Sequence, residues 1–170
     1  MTYPSLSRDF IEADEALESL YIAIQDRYNR FSVKDAMALL RSTFSIAREE
    51  VRYKIVTDLT AMKFAGVVPF LAEVLRNDKS PLVRHEAAFG IGTLGSVRDS
   101  TPLIDALKYD ETSMVRHEAA IALAEIGGEH AMPALETATM DSDPAVASSA
   151  RFAIESILLY RHQGLRAVNG

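Results

Sequence analysis

The sequence predicts an all-α fold, an α-solenoid of about four helical hairpins with one extra helix at the N-terminus. Three observations predict it. Residues 83–88 and 115–120 carry the same run, Val-Arg-His-Glu-Ala-Ala, so that His85 and His117 stand 117 − 85 = 32 residues apart, a period typical of stacked helix pairs. Val51, Val83, Val115 and Val146 recur at intervals of 32, 32 and 31 residues, and apolar residues follow each at +4, +8 and +11, the spacing of one helix face. Pro69, Pro102 and Pro133 take matching places in the segments ahead of the last three valines, early in a helix where a missing N–H costs least.

The first element, within residues 1–30, lies outside the repeat. Ser7 is an N-cap candidate, and Phe10, Ala13, Leu17, Leu20, Tyr21 and Ile24 recur at helical spacing to about Arg27. Its expected role is to cover the open end of the stack or to meet a second copy of the chain, because a terminal repeat lacks a neighbour. Residues 31–160 are expected to form one domain of four repeats, with first helices at 34–42, 67–76, 101–108 and 131–139. The second helices bury Ile55, Leu59 and Met62, then Ala87, Ile91 and Leu94, then Ala119, Leu123 and Ile126, and last Ala150, Ile154 and Ile157. Ser80 with Pro81 and Asp143 with Pro144 mark helix starts, while Gly95 and Gly127 mark stops. Residues 161–170 read as a frayed tail.

Composition sets outer bounds on function. With 170 residues, 48% of them hydrophobic, the chain has enough apolar surface for a single core. A net charge of −6 and a pI near 5.2 argue against a nucleic-acid surface and favour a basic partner. The absence of cysteine removes disulfides and zinc–thiolate sites together. No apolar run suits a membrane span and the N-terminal residues lack a signal-peptide pattern, so a cytoplasmic protein is expected.

The repeated His-Glu pairs carry the chemistry. At 100° per residue the core positions fall between 0° and about 80°, whereas +2 falls near 200° and +3 near 300°, so the pairs point away from the core toward the concave face. Packing alone does not require them, since the equivalent positions are Tyr53 and Lys54 in the first repeat and Ser148 and Ser149 in the last. His85 and His117 on neighbouring helices, roughly 10 Å apart, could meet at one ion. Stacked repeats are related by translation, so only one of Glu86 and Glu118 should lean toward the pair. Two imidazoles and one carboxylate suit iron(II) with open positions, and spacing leaves zinc and manganese open. The alternative is a solvated polar surface. Arg52, Arg84 and Arg116 are expected to be structural, pairing with Asp78, Asp110 and Asp143, and Phe89, Ile121 and Phe152 at +6 place an apolar stripe on a wet face. His130 and His162 are expected on the surface. Gly90, Gly92 and Gly95 lie within a helical pattern and so make no nucleotide loop.

The helix pairs resemble HEAT repeats, and the run from Arg52 to about Ile154, with its two Val-Arg-His-Glu-Ala-Ala copies, is similar to one half of deoxyhypusine hydroxylase, of the HEAT-like proteins once grouped with the phycobilin lyases. That resemblance implies a non-haem di-iron centre that activates dioxygen, with His85, His117 and Glu118 as metal ligands. Glu86 would stand beside the metal as the catalytic residue, holding a water or a substrate amine. It also implies a homodimer, because the family joins two such halves and this chain supplies one; the irons would pair across the dimer or stay mononuclear. The expected activity is that of a dioxygen-dependent hydroxylase acting on a basic or amine-bearing substrate in the concave groove. Two other readings stand beside it: a HEAT-repeat scaffold that binds a protein in that groove, and a phycobilin-lyase-like chaperone that orients a tetrapyrrole.

Overall fold

The structure, a computed structural model, describes residues 8–25 and 32–162, and among these every regular element is a helix. The chain divides into two compact units, Met1–Met62 and Lys63–Gly170. The expected N-cap Ser7, the helix end at Arg27 and the tail beyond residue 162 lie outside the described residues.

The first unit holds α1 (Arg8–Gln25), α2 (Val33–Ile46) and α3 (Glu49–Ala61). Helix α1 buries Ala13, Ala16, Leu17 and Leu20, whereas Tyr21, which shares their spacing, is 53% exposed. It packs chiefly on α2 and more lightly on α3. Helix α2 starts at a capping box in which Ser32 and Asp35 satisfy each other's backbone N–H, and it runs past the expected end to Ile46. Lys54, at the position of the repeated Glu, spans 2.8 Å to Asp14 and so fastens α3 to α1.

The second unit holds three helical hairpins: α4 (Val68–Asn77) with α5 (Pro81–Leu94), α6 (Ser100–Tyr109) with α7 (Ser113–Ile126), and α8 (Met132–Ala138) with α9 (Pro144–His162). A 3₁₀ turn precedes each first helix. Helices α5, α7 and α9 pack side by side as one layer, with α4, α6 and α8 as the other. The core lies between the layers and contains Val83, Ala87 and Ile91, then Val115, Ala119, Leu123 and Ile126, then Val146, Ala150 and Ile157, all at the expected face. Leu94 and Ile154, at the same register, are only half-buried. The starts and stops are also as expected. Ser80 Oγ accepts from the Val83 N–H at 3.4 Å, Asp143 Oδ1 accepts from the Ala145 N–H at 2.9 Å, and Gly127 ends α7 at φ 68°, a left-handed conformation that favours glycine.

A buried ion-pair ladder joins successive hairpins. Arg84 donates to Asp110 through Nε (2.7 Å) and Nη2 (2.9 Å), and both side chains are 8% exposed. Arg116 makes the same forked contact with Asp141 at 2.8 and 3.0 Å. Each arginine also donates Nη1 to a carbonyl in the turn of its own hairpin, that of Asp78 for Arg84 and that of Asp110 for Arg116. Each aspartate in turn accepts the backbone N–H two residues on, from Thr112 or Asp143. The sequence reading assigned Asp143 to Arg116, and the structure corrects this to Asp141. Asp143 instead caps α9 and bonds to Ser113, which draws its pKa down. Asp141 stands five residues before Val146, as Asp110 stands five before Val115, and Asp143 is already committed to the helix start.

The outer side of α9 differs from the inner helices. Positions +5 and +9 are buried as Ala88 and Gly92 in α5 and as Ala120 and Ala124 in α7, but in α9 they are the exposed Arg151 and Glu155. Charges at positions where inner helices meet a neighbour disfavour a further helix on that face.

Candidate functional site

The outward side of the α5–α7–α9 layer gathers the repeated residues. In α5 and α7 the +2 residue leans toward the following helix, and in α7 and α9 the +3 residue leans toward the preceding one. His85 Nε2 therefore meets Oε2 of Glu118 at 3.3 Å across the α5–α7 seam. By the same register His117 Nδ1 meets Oγ of Ser149 at 2.7 Å across the α7–α9 seam. Glu118 leans toward the histidine of the preceding helix and is 9% exposed. It sits deeper than a position aimed away from the core suggests, because α5 closes over it. Glu86 takes part in neither contact with the histidines, although its charge reaches His85.

The bonding fixes which nitrogens remain. The hydrogen bond to Glu118 raises the His85 pKa, burial opposes it, and the charges of Glu118 and Glu86 add to the rise. Nδ1 of His85 is buried with no hydrogen-bond partner. Ser149 also donates Oγ–H to the Ala145 carbonyl at 3.0 Å. Assigning its single proton there makes His117 Nδ1–H the donor to Ser149 and leaves the lone pair on Nε2.

A third carboxylate joins the seam, and the sequence reading did not single it out. Glu125 lies one heptad beyond Glu118 on the same side of α7, and its Oε2 sits 2.7 Å from where a Cβ at Gly92 would be. Only a glycine lets α7 and Glu125 come this close to α5; that Cβ would also stand 2.9 Å from Cβ of Ala122. Burial against α5, and secondarily Glu118, push the Glu125 pKa up. The signal in the sequence was the pairing of Gly92 with a Glu seven residues after the dyad Glu. Beside these groups the +6 stripe is present, with Phe89 42% and Phe152 55% exposed and Ile121 between them half-buried. His130 is on the surface as expected, and its Nε2 bonds to Oγ of Ser100 at the start of α6.

The model for HEAT repeats matches residues 36–113 and 68–155. The chain belongs to the HEAT-repeat family. Comparison with curated proteins gives no match. Membership accounts for the helix pairs and the layered core. The implied iron can be tested against the donors: His85 and Glu118 converge, His117 turns to Ser149, and the described residues form no group of three His, Asp or Glu side chains around one point. The donor set as arranged is a pair and not a triad. Among the described residues no helix is long and apolar enough to cross a membrane.

Proposed function

We propose that this HEAT-repeat protein is a binding module, and that the α5–α7–α9 face docks a basic, amphipathic segment of a protein partner. The observation that carries the reading is the stripe of Phe89, Ile121 and Phe152 running between carboxylates. Glu86 and Glu125 lie along the same face, and Glu155 extends the charge onto α9, while Glu118 is held under α5 by His85. Two exposed aromatic residues with a half-buried isoleucine between them, in register on successive repeats, offer the apolar contact, and the acidic flank supplies attraction and orientation for lysine or arginine. The overall charge of −6 favours the same partner. Arg151, the cation on this face, is engaged with the Thr139 carbonyl at 3.0 Å.

A labelled peptide with lysines on one helical face and leucines on the other tests this by fluorescence anisotropy. Phe89→Ala and Phe152→Ala should each weaken binding by roughly fourfold to tenfold, because docking covers only the exposed half of a ring whose full burial is worth about 1.5–3 kcal/mol. Added salt should weaken it further. Absence of saturable binding, or binding indifferent to both substitutions, rejects the reading. If the stripe instead joins two copies of the chain, light scattering will show a dimer that Phe152→Ala dissociates.

A resident divalent metal is a second reading, favoured by one observation. A histidine that donates one ring N–H to a carboxylate or hydroxyl keeps its other nitrogen for coordination, and both His85 and His117 have such a partner. A bound iron would supply dioxygen activation, and His117 would have to leave Ser149 or serve from Nε2. Elemental analysis of untagged protein decides it. Stoichiometric metal that is lost in His85→Ala and His117→Ala supports it, and protein that stays metal-free after incubation with iron(II) or zinc rejects it.

A further inference from the structure

A cavity of about 660 Å³ opens at the ends of α5 and the turn that follows it, far along α5 from the His-Glu seam. Lys63, Ala65, Thr93, Leu94, Gly95, Ser96 and Arg98 line it. In a chain of net charge −6, two of these seven residues are cations and none is an acid. Arg84, Arg116, Lys54 and Arg48 each have a carboxylate partner. Lys63 and Arg98 have none among the described residues. The nearest carboxylate in sequence, Asp99, is turned onto Ser96, whose N–H and hydroxyl both donate to its Oδ2 at 2.8 and 2.9 Å.

The backbone at Lys63 adds a second observation. Its φ of 52° makes it the one non-glycine residue with positive φ among the described residues. A lysine gains nothing from this conformation, which glycine or asparagine would adopt with less strain. Here it places a long cationic side chain on the cavity wall. Gly95 on the same wall ends α5 where a Cβ would stand 2.5 Å from the Ile91 carbonyl oxygen. Thr93 is exposed beside it. Leu94 and Ala65 give the wall an apolar part.

We propose that this cavity binds a phosphate-bearing small molecule, with Lys63 and Arg98 taking the phosphate oxygens and the Thr93 hydroxyl donating to them. Arginine offers a planar fork and lysine a mobile point charge, a combination suited to a tetrahedral dianion. The volume exceeds that of inorganic phosphate and lies in the range of small-molecule sites, roughly 300–1,000 Å³. The space beside the two cations has room for an organic part of about the size of a sugar against Leu94 and Ala65.

Amide NMR titration of the full chain with inorganic phosphate, ribose 5-phosphate and sodium chloride at matched ionic strength tests this. Saturable shifts at Thr93, Gly95, Ser96 and Arg98 are expected with both phosphates, tighter for the sugar phosphate, and absent with chloride. Lys63→Asn suits the left-handed backbone and Arg98→Gln keeps a polar side chain, so both variants should fold. Each should weaken binding by roughly fivefold, and the two together should abolish it. Non-saturable shifts, equal shifts with chloride, or undiminished binding in the double variant would overturn the proposal. Saturation by inorganic phosphate with no gain from the sugar would remove the organic part and reduce the site to a simple anion site.

Discussion

Replacing Asp110 by alanine probes the joint between the α4–α5 and α6–α7 hairpins. The substitution removes both arms of the fork to Arg84, at 2.7 and 2.9 Å, and the acceptor that holds the Thr112 N–H at 2.9 Å. Arg84 stays behind, 8% exposed, with its charge answered by the Asp78 carbonyl at 2.9 Å and no buried carboxylate. Breaking one partner of a buried pair costs about 3–5 kcal/mol, most of it the burden of the stranded charge. Urea denaturation followed by circular dichroism should therefore show a large fall in midpoint with an unchanged slope. Arg84→Met in the same background should restore much of the loss, because it removes the stranded charge and keeps the aliphatic stem packed. The exposed pair of Arg8 and Glu12, with 91% and 33% of its side chains accessible, is the control, and Glu12→Ala should change stability by less than about 1 kcal/mol. A loss under about 1 kcal/mol for Asp110→Ala, or strict additivity with Arg84→Met, refutes the reasoning.

Other outcomes follow from the same geometry. Gly92→Ala should destabilise the protein by about 1–3 kcal/mol in thermal or urea melts although alanine is the better helix former, because its Cβ meets Ala122 Cβ at 2.9 Å and Cα at 3.0 Å and must push α5 off α7. Asp141 has a folded pKa held below its usual value, first by the hydrogen bond from Arg116. A depressed carboxylate contributes stability that is present above the unfolded pKa, about 3.9, and is lost as pH falls through the folded pKa. Asp141→Asn should accordingly flatten the pH dependence of stability below about pH 4 in acid titration and leave its slope near neutrality unchanged. Lys63→Gly should raise the melting temperature slightly, since glycine accepts φ 52° without strain; an unchanged or lower value would mean that the lysine is held by contacts worth more than the strain.

Much of the fold was legible in the sequence because its signals are local and repeated. The valine period, the +4, +8 and +11 positions, the prolines and Gly127 specify helices, their starts and one buried face, and each is satisfied within a dozen residues. The repeat also determined that His85 and His117 occupy equivalent places on neighbouring helices. What happens across a seam depends on the lean and separation of two helices, which no single repeat encodes. The tertiary structure decided that Arg116 takes Asp141 and not Asp143, that Glu118 lies under α5 against His85, and that His117 turns to Ser149. It decided too that Glu125 joins the seam, because Gly92 allows the two helices to approach, and that Lys63 and Arg98, 98 − 63 = 35 residues apart in sequence, share one cavity. Helical periodicity fixes the direction of a side chain from its own axis; only packing fixes what that side chain meets.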